Sequence, residues 1–222
     1  MISFICSLWG DKYSTKYVQK LYESVKDNYI GEFAFYCQTD KVLGIDGAIE
    51  LPFSKFQPIM DGRFPDKPKC NIWEPNCWGI MGKKVYLDLD ILIQGNLNKI
   101  TELHANKILI NRSHWQDDAG INSAHNAYLC YRGVTNSSII VWEDTSDTKE
   151  IWEHIVKNSE YIFFVCINGS DNYLSSEHMS KFDFVPRPLV ASYHNETPSV
   201  EPIIYTFETQ PGQLEMHELG ML

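Results

Sequence analysis

Short apolar runs and one helical repeat open the chain. Residues 2–8 form a nearly continuous apolar run that ends at Gly10-Asp11, a pattern typical of a buried strand. A second apolar run covers residues 33–37. Between them, apolar side chains recur at helical spacing, at Val18, Leu21, Tyr22, Val25 and Tyr29. This order predicts a strand, a helix and a second strand, which is the beginning of an α/β fold.

The middle and the end of the chain continue this alternation less regularly. Residues 41–82 are rich in Gly, Pro and Lys with few periodic segments, and we expect mostly loop there. Residues 85–93 form another apolar run of the buried-strand type, which is interrupted by two carboxylates. Further strands are predicted at 107–111, at 137–142, around 184, at 190–193 and at 203–207, and a helix at about 147–158. We find no internal repeat and no linker, so we predict a single α/β domain.

Composition narrows the possible functions. The chain has 222 residues with 44% hydrophobic positions, enough for one substantial core. It carries 19 Lys and Arg against 29 Asp and Glu, a formal charge of −10, and no basic stripe. Nucleic acid is therefore not expected as a partner. Small molecules that carry phosphate are compatible with this charge, because a bound divalent cation can supply positive charge.

The expected location follows from the first residues and the cysteines. The apolar run at residues 1–9 is followed by Gly10, Asp11 and Lys12, and it is far shorter than the roughly 20 residues that span a bilayer. We therefore expect a first strand, and no signal peptide or integral membrane segment. The 6 cysteines are scattered without a CxxC pair, which suits a reducing compartment and predicts a cytoplasmic location.

Asp88 and Asp90 are the most informative pair for chemistry. In an extended strand, side chains two residues apart lie roughly 6.6 Å apart on one face, so both carboxylates can approach one ion. Mg²⁺ and Mn²⁺ prefer oxygen ligands and leave coordination positions for substrate phosphates. The alternative is a strand end at which both carboxylates meet solvent. Because carboxylates inside an apolar run are costly to desolvate, we favour a metal or phosphate site.

Several segments resemble GT-A-fold glycosyltransferases of the glycogenin and lipopolysaccharide galactosyltransferase type. V-Y-L-D-L-D-I-L-I-Q-G-N-L at 85–97 resembles their Asp-X-Asp segment. Four further matches occur in the family's order, at 8–22, 37–40, 136–142 and 169–174. The resemblance implies a GT-A (Rossmann-like) domain over residues 1–211, with a mixed, mostly parallel sheet flanked by helices, and a C-terminal tail at 212–222.

The resemblance also implies a set of site residues. Asp88 and Asp90 would hold Mn²⁺ or Mg²⁺. The third ligand would be Glu208, where relatives have the His of Phe-His-Gly-Lys-Pro, or His194. Asp171 would be the catalytic acidic residue, although Ser170 occupies the family's Asp position in an ungapped alignment, and Asp117 and Asp118 are further candidate acids. The nucleotide-sugar donor would be contacted by Leu8, Trp9, Tyr13, Asp40, Lys69, Leu89 and Asn136.

The predicted function is therefore metal-dependent transfer of a sugar from a nucleoside-diphosphate sugar, with UDP favoured, to a glycan or another hydroxyl acceptor. Two alternatives stay open. The chain could be a non-catalytic homologue that binds nucleotide sugar or glycan, because the segment after Phe207 departs from the family pattern. A nucleotidyltransferase is less favoured, since residues 8–11, Leu-Trp-Gly-Asp, lack the Gly-rich basic loop such enzymes place after the first strand.

Overall fold

The computed structural model describes residues 1–58, 66–103, 106–113, 134–144, 146–166, 169–194 and 196–207. Its strands are β1 Ile2–Leu8, β2 Phe33–Thr39, β3 Ala48–Leu51, β4 Lys84–Leu87, β5 Ile91–Ile93, β6 Ile108–Arg112, β7 Thr135–Trp142, β8 Phe182–Phe184, β9 Val190–Ser192 and β10 Ile204–Thr206. Its α-helices are α1 Thr15–Asn28, α2 Asn98–Thr101, α3 Ser146–Val165 and α4 Ser170–Glu177. Short 3-10 helices occupy Lys67–Trp73, Cys77–Gly79, Met179–Lys181 and Arg187–Leu189.

Two sheets organise these elements. The larger has seven strands in the order β3-β2-β1-β4-β7-β6-β8. Only β7 is antiparallel to its neighbours, and all other pairings in this sheet are parallel. The smaller sheet has the order β5-β10-β9. The predicted mixed, mostly parallel sheet flanked by helices is thereby confirmed.

The core follows from the alternation of side chains along the central strand β1. Phe4, Cys6 and Leu8 face one side of the sheet, where they share a cluster with the buried face of α1. Ile5 faces the other side, towards the Lys67–Trp73 helix and α3. Residues of β1 are thus buried on both faces, as expected for a central parallel strand.

The apolar run at 85–93 is not one strand. β4 ends at Leu87, the residues Asp88, Leu89 and Asp90 lie in a turn, and β5 belongs to the smaller sheet. The prediction that Asp88 and Asp90 share one face of an extended strand is therefore wrong. The two halves of the run are buried in different sheets. Because both halves are apolar, the hydrophobic pattern does not show the turn between them.

Two other boundaries differ from the sequence prediction. β3 lies inside the region 41–82 that was expected to be loop, and as an edge strand it exposes Ile49 and Glu50, which hides its apolar pattern. Helix α3 continues to Val165, seven residues beyond its predicted end at 158. The proposed boundary between residues 211 and 212 lies outside the described residues.

Two further features concern the described residues only. Their cysteines are free thiols, at Cys6, Cys37, Cys70, Cys77 and Cys166. Among the helices that the structure describes, none is long and apolar enough to cross a membrane.

Candidate active site

The candidate site lies at the carboxyl ends of the parallel strands. β1 and β4 are neighbours in the sheet, but the chain continues from β1 to β2 on the opposite side, so strand order reverses between β1 and β4. Open α/β sheets bind ligands in the crevice at such a reversal. Because β7 is antiparallel, its first residues also lie at this edge.

Lys69 is the only cation within the buried centre of this site, as far as the described residues show. Its Nζ lies 2.8 and 3.0 Å from the two carboxylate oxygens of Asp88 and donates to Ser137 Oγ at 2.9 Å. The Lys69 side chain is 5% exposed and that of Asp88 is 27% exposed. Burial alone would lower the pKa of Lys69, but the carboxylates of Asp88, Asp171 and Asp66 raise it above its ordinary value. Lys69 therefore stays protonated.

Asp171 enters the same centre from the first turn of α4. Its Oδ1 accepts the main-chain N–H of Ser137 at 2.7 Å. Its main-chain oxygen accepts the Thr135 hydroxyl at 2.9 Å, so the start of α4 is fixed to the start of β7. Burial raises the pKa of Asp171 to about 6, although Lys69 and the Ser137 hydrogen bond act in the opposite direction.

Asp66 completes the centre, and the sequence did not reveal it. The Ser170 N–H lies 3.1 Å from each Asp66 carboxylate oxygen, and the Ser170 hydroxyl also donates to it. Gly169 has φ +92°, and a Cβ there would lie 2.3 Å from Asp66 Oδ1, so this junction requires glycine. Asp66 is 104 residues from Ser170 in the chain and lies in a region expected to be loop. No local pattern marks such a contact.

Asp90 lies beside this centre, held by a different partner. The Tyr13 hydroxyl donates to Asp90 Oδ2 at 2.7 Å. Burial, followed by the charge of Asp88, raises the pKa of Asp90 to about 6, against the effect of the Tyr13 hydrogen bond. The Asp88 and Asp90 carboxylates are therefore close enough to repel each other, although they lie in a turn.

The site carries more negative than positive charge. Asp66, Asp88 and Asp171 lie around Lys69, and Asp90 lies beside them with the exposed Lys12 nearby. Burial raises the pKa of Asp66, Asp90 and Asp171. A divalent cation would offset this excess, and an all-oxygen donor set suits Mg²⁺ or Mn²⁺.

The donor set also limits how an ion could be held. No group of three or more His, Cys, Asp or Glu side chains able to bind one ion occurs in the described part of the chain. Among the described residues, Asp88 and Asp90 would thus be the two protein ligands. Mg²⁺ is commonly bound in this way, by one or two carboxylates together with substrate phosphates. Of the two candidate third ligands, Glu208 lies outside the described residues. His194 is in an exposed turn, with its ring against Tyr193 and Phe207.

The residues expected to contact a donor lie around this edge of the sheet, and they differ in how far their side chains are exposed to solvent. Trp9 and Tyr13 are half-buried in the loop after β1, and Asp40 is exposed in the loop after β2. Lys41 joins these two loops, because its Nζ donates to the Gly10 main-chain oxygen. Both loops therefore form one rim of the crevice.

Three other expected donor contacts are buried. The side chains of Leu8 and Leu89 are 0% and 5% exposed in the core, so only their main chain can reach a ligand. Asn136 is 8% exposed, and its Oδ1 accepts the Ser138 N–H at 3.1 Å. Asn111 Nδ2 also approaches this oxygen, at 3.4 Å.

Three buried polar atoms of the described residues lie near the carboxyl ends of strands or at the start of α4 without a protein partner. Among the described residues, three buried side-chain atoms have no hydrogen-bond partner, namely Gln38 Nε2, Asn111 Oδ1 and Asn172 Oδ1. Gln38 and Asn111 stand at the carboxyl ends of β2 and β6, and Asn172 follows Asp171 in α4. In the strand order, β2 and β6 are four strand spacings apart, roughly 19 Å, so Gln38 and Asn111 do not belong to one ligand site.

Comparison with known proteins identifies the fold. No family model and no curated protein matches the chain. A structure of the galactosyltransferase LgtC in complex with donor and acceptor sugar analogues matches with a TM-score of 0.66 and 12% identity, covering 94% of this chain and 87% of LgtC. The glycosyltransferase GlyE of Streptococcus pneumoniae TIGR4 matches with a TM-score of 0.64 and 13% identity, over 94% of this chain and 55% of GlyE.

A more distant match has the same architecture. The apo form of mouse xyloside xylosyltransferase 1 matches with a TM-score of 0.56 and 11% identity, over 92% of this chain and 96% of that one. At these identities the comparisons establish the fold alone. The chain has the α/β fold of these glycosyltransferases, as the GT-A resemblance predicted.

Proposed function

We propose that this protein is a metal-dependent glycosyltransferase that moves a sugar from a nucleoside-diphosphate sugar, with UDP as the nucleotide, to a hydroxyl group of a glycan or another acceptor. One observation carries the proposal: the excess of carboxylates, with Asp88 and Asp90 foremost, lies in the crevice where strand order reverses. Support also comes from the fold shared with LgtC, a galactosyltransferase solved with donor and acceptor sugar analogues.

In this proposal Asp88 and Asp90 hold Mn²⁺ or Mg²⁺, with Glu208 as a third ligand. His194 is not assigned this role, because the described residues include no group of three such side chains that could hold one ion. The bound ion supplies the positive charge that stabilises a diphosphate leaving group. Lys69 holds the Asp88 carboxylate through both oxygens and adds a second positive charge beside the donor. Because its pKa is raised, Lys69 keeps that charge throughout the neutral range.

Asp171 is the proposed catalytic residue beside the reacting sugar. With a pKa of about 6, it is mostly ionised at pH 7, yet it is more basic than an ordinary Asp. That combination suits a group that accepts the proton of an acceptor hydroxyl. Asp66 acts through Asp171 as a positioning residue, because it fixes Ser170 at the start of the same helix.

The donor contacts are proposed in two groups. Trp9, Tyr13 and Asp40 on the exposed rim would bind the nucleotide, because aromatic faces stack on bases and a carboxylate accepts base N–H groups. Asn136 would bind nearer to the sugar, beside Lys69. Leu8 and Leu89 would contribute main-chain groups only.

A turnover assay tests the proposal. The protein is incubated with a panel of UDP-sugars and other nucleotide sugars, with and without Mn²⁺, and release of the nucleoside diphosphate (UDP from a UDP-sugar) is measured with and without hydroxyl acceptors. We expect Mn²⁺-dependent release from at least one donor. Donor binding without release, under a broad acceptor panel, would favour a non-catalytic binding protein. Absence of any metal-dependent donor binding would contradict the proposal.

A matched pair of variants assigns the activity to the site. Asp88→Asn should lower turnover on the order of 100-fold or more, which corresponds to about 2.7 kcal/mol of transition-state stabilisation. Asp27→Asn makes the same chemical change at an exposed position in the last turn of α1 and should leave turnover unchanged. Equal turnover in both variants would show that Asp88 has only a structural role.

A further inference from the structure

Four aromatic rings lie together at one end of the smaller sheet, and none of them has a role in the glycosyl transfer proposed above. Tyr193 and His194 follow β9, whereas Tyr205 and Phe207 lie in and just after β10. The Tyr193 and Phe207 rings are stacked, with centroids 4.9 Å apart and 28° between planes. Tyr205 packs against the Tyr193 ring at 5.6 Å and 82°. Phe207 is 5% exposed, but Tyr193 is 36% exposed.

The position of this aromatic group relates it to the candidate active site. β10 pairs with β5 so that Thr206 faces Ile91, and it pairs with β9 so that Thr206 faces Ser192. Asp90, which precedes Ile91, therefore lies at the same end of the sheet as Phe207 and Tyr193. Two strand spacings, roughly 10 Å, separate Tyr193 from Asp90 along that edge.

The turn that carries Tyr193 is held from several sides. The Tyr193 N–H donates to the Thr206 main-chain oxygen at 3.0 Å. Glu196 Oε2 accepts the Ser192 N–H at 2.9 Å, and the Glu196 N–H donates back to the Ser192 oxygen at 3.2 Å. The Arg187 side chain, which is 64% exposed, is anchored on Glu196 Oε1 at 2.9 Å. The ring is thus presented by a fixed turn with charged and polar groups beside it.

We propose that Tyr193, backed by Phe207, is a stacking platform for a sugar ring of the acceptor, an inference that rests on the proposed function. A pyranose ring has an apolar C–H surface and a rim of hydroxyl groups, so it requires an aromatic face with hydrogen-bonding groups at the edge. Tyr193 supplies the face, and Arg187 and His194 supply polar groups beside it. Because the ring is already fixed by Phe207, binding costs little side-chain entropy.

The position also distinguishes the acceptor from the donor. The donor's nucleotide is proposed to bind at the loops after β1 and β2, on the larger sheet. Tyr193 directly follows β9 of the smaller sheet, whose strand β5 begins right after Asp90. The proposed acceptor platform and the proposed nucleotide-binding loops therefore belong to different sheets.

Saturation-transfer NMR tests the platform directly. The probes are methyl β-D-galactoside, methyl β-D-glucoside and methyl β-D-N-acetylglucosaminide, with irradiation of the aromatic protons of the protein. We expect transfer to the C–H protons of at least one glycoside in wild type, a loss of at least about fivefold in Tyr193→Ala, and retention in Tyr193→Phe. Tyr193→Leu keeps apolar bulk against Phe207 and guards against a folding defect; it should also lose the signal.

The control is Tyr161→Ala, which removes an exposed tyrosine from α3 and should leave the signal unchanged. Equal transfer in wild type and Tyr193→Leu, or no transfer to any of the three probes in wild type, would overturn the inference. Release of the nucleoside diphosphate from the donor in the absence of an acceptor sugar, with water accepting the donor sugar, tests the proposed function independently. If that release is metal-dependent while Tyr193→Leu binds the glycosides normally, the platform is wrong and the glycosyltransferase proposal stands.

Discussion

Helix α4 contributes residues to two buried polar clusters, one with an excess of negative charge and one built from a tyrosine and two histidines. Asp171 in its first turn belongs to the carboxylate cluster around Lys69. Tyr173, two residues later, belongs to a cluster with His154 and His178. Its hydroxyl lies 2.6 Å from His178 Nε2 and 2.9 Å from His154 Nδ1, and the two ring nitrogens are 3.2 Å apart.

The His-Tyr-His cluster is complete without a ligand. Burial, followed by the charge of His154, lowers the pKa of His178 to about 4, so its imidazole is neutral at pH 7. The Tyr173 hydroxyl can donate to one ring nitrogen and accept from the other. The carboxylate cluster, by contrast, has four carboxylates for one buried cation, Lys69, and the exposed Lys12 near Asp90. The difference teaches that burial alone does not mark a functional site; burial with unbalanced charge does.

The largest expected effect comes from removing the cation of the carboxylate cluster. Lys69→Met leaves the buried carboxylate of Asp171 and the partly buried one of Asp88 without their cation, so the free energy of unfolding of the metal-free protein should fall by about 3–5 kcal/mol. Urea denaturation in EDTA measures it. Mn²⁺ should stabilise this variant more than wild type, because the ion restores positive charge. Lys16→Met, at an exposed position in α1, is the control. An equally small change in the free energy of unfolding of both variants would refute the proposed charge imbalance around Lys69.

Breaking the complete cluster should cost less. Tyr173→Phe removes only the hydroxyl oxygen from a side chain that is 1% exposed, and the two imidazoles lose a hydrogen-bond partner. We expect the free energy of unfolding to fall by about 1–2 kcal/mol. The stabilisation produced by Mn²⁺ should equal that of wild type, as thermal melts with and without the ion would show. A loss of the Mn²⁺ response would mean that the two clusters are not independent.

Relieving the imbalance should stabilise the protein. Asp90→Asn keeps an oxygen acceptor for the Tyr13 hydroxyl and removes the repulsion with Asp88. Because the pKa of Asp90 is raised from 3.8 to about 6, we expect the metal-free variant to gain up to about 3 kcal/mol at pH 7.5, while it loses the Mn²⁺ response. A metal-free variant that is less stable than wild type would contradict this account of Asp90.

The smallest effect is an opposite dependence on pH. His178 has a folded-state pKa below its ordinary 6.5, so its neutral form stabilises the fold above about pH 6.5, and this contribution is lost as the pH falls towards 4. Asp90 has a raised pKa, so its cost at neutral pH disappears as the pH falls below about 6.

Variants separate these two contributions in metal-free urea titrations between pH 4 and 7.5. The stability deficit of His178→Phe relative to wild type should shrink as the pH falls. The stability gain of Asp90→Asn should shrink over the same range. Differences that do not change with pH would show that neither group titrates as described.

The sequence was sufficient where structure is local. Helical spacing located α1, and continuous apolar runs located β1 and β2, because burial on two faces leaves a strong signal. The same continuous apolar pattern led to a wrong prediction at 85–93, where one strand was expected. Two buried strands of different sheets follow each other there, connected by the Asp88-Leu89-Asp90 turn. β3, an exposed edge strand, left almost no signal.

The candidate site was predictable only in part. Asp88 and Asp90 stood out as two carboxylates inside an apolar run, whereas Lys69 and Asp171 came from a resemblance. The structure brings Lys69 into contact with Asp88 and near Asp171. Asp66 joins Ser170 across 104 residues, and no periodicity or spacing encodes such a contact. Glu208 lies outside the described residues, and its role as a ligand stays a prediction.

Mn²⁺ binding tests the central claim most directly. The electron paramagnetic resonance signal of free Mn²⁺ is titrated with protein in the presence and absence of UDP, for wild type, Asp88→Asn and the control Asp27→Asn. The account predicts one site per chain in wild type and Asp27→Asn, tighter with UDP, and none in Asp88→Asn. Equal binding by wild type and Asp88→Asn, or none by wild type with UDP present, would contradict it.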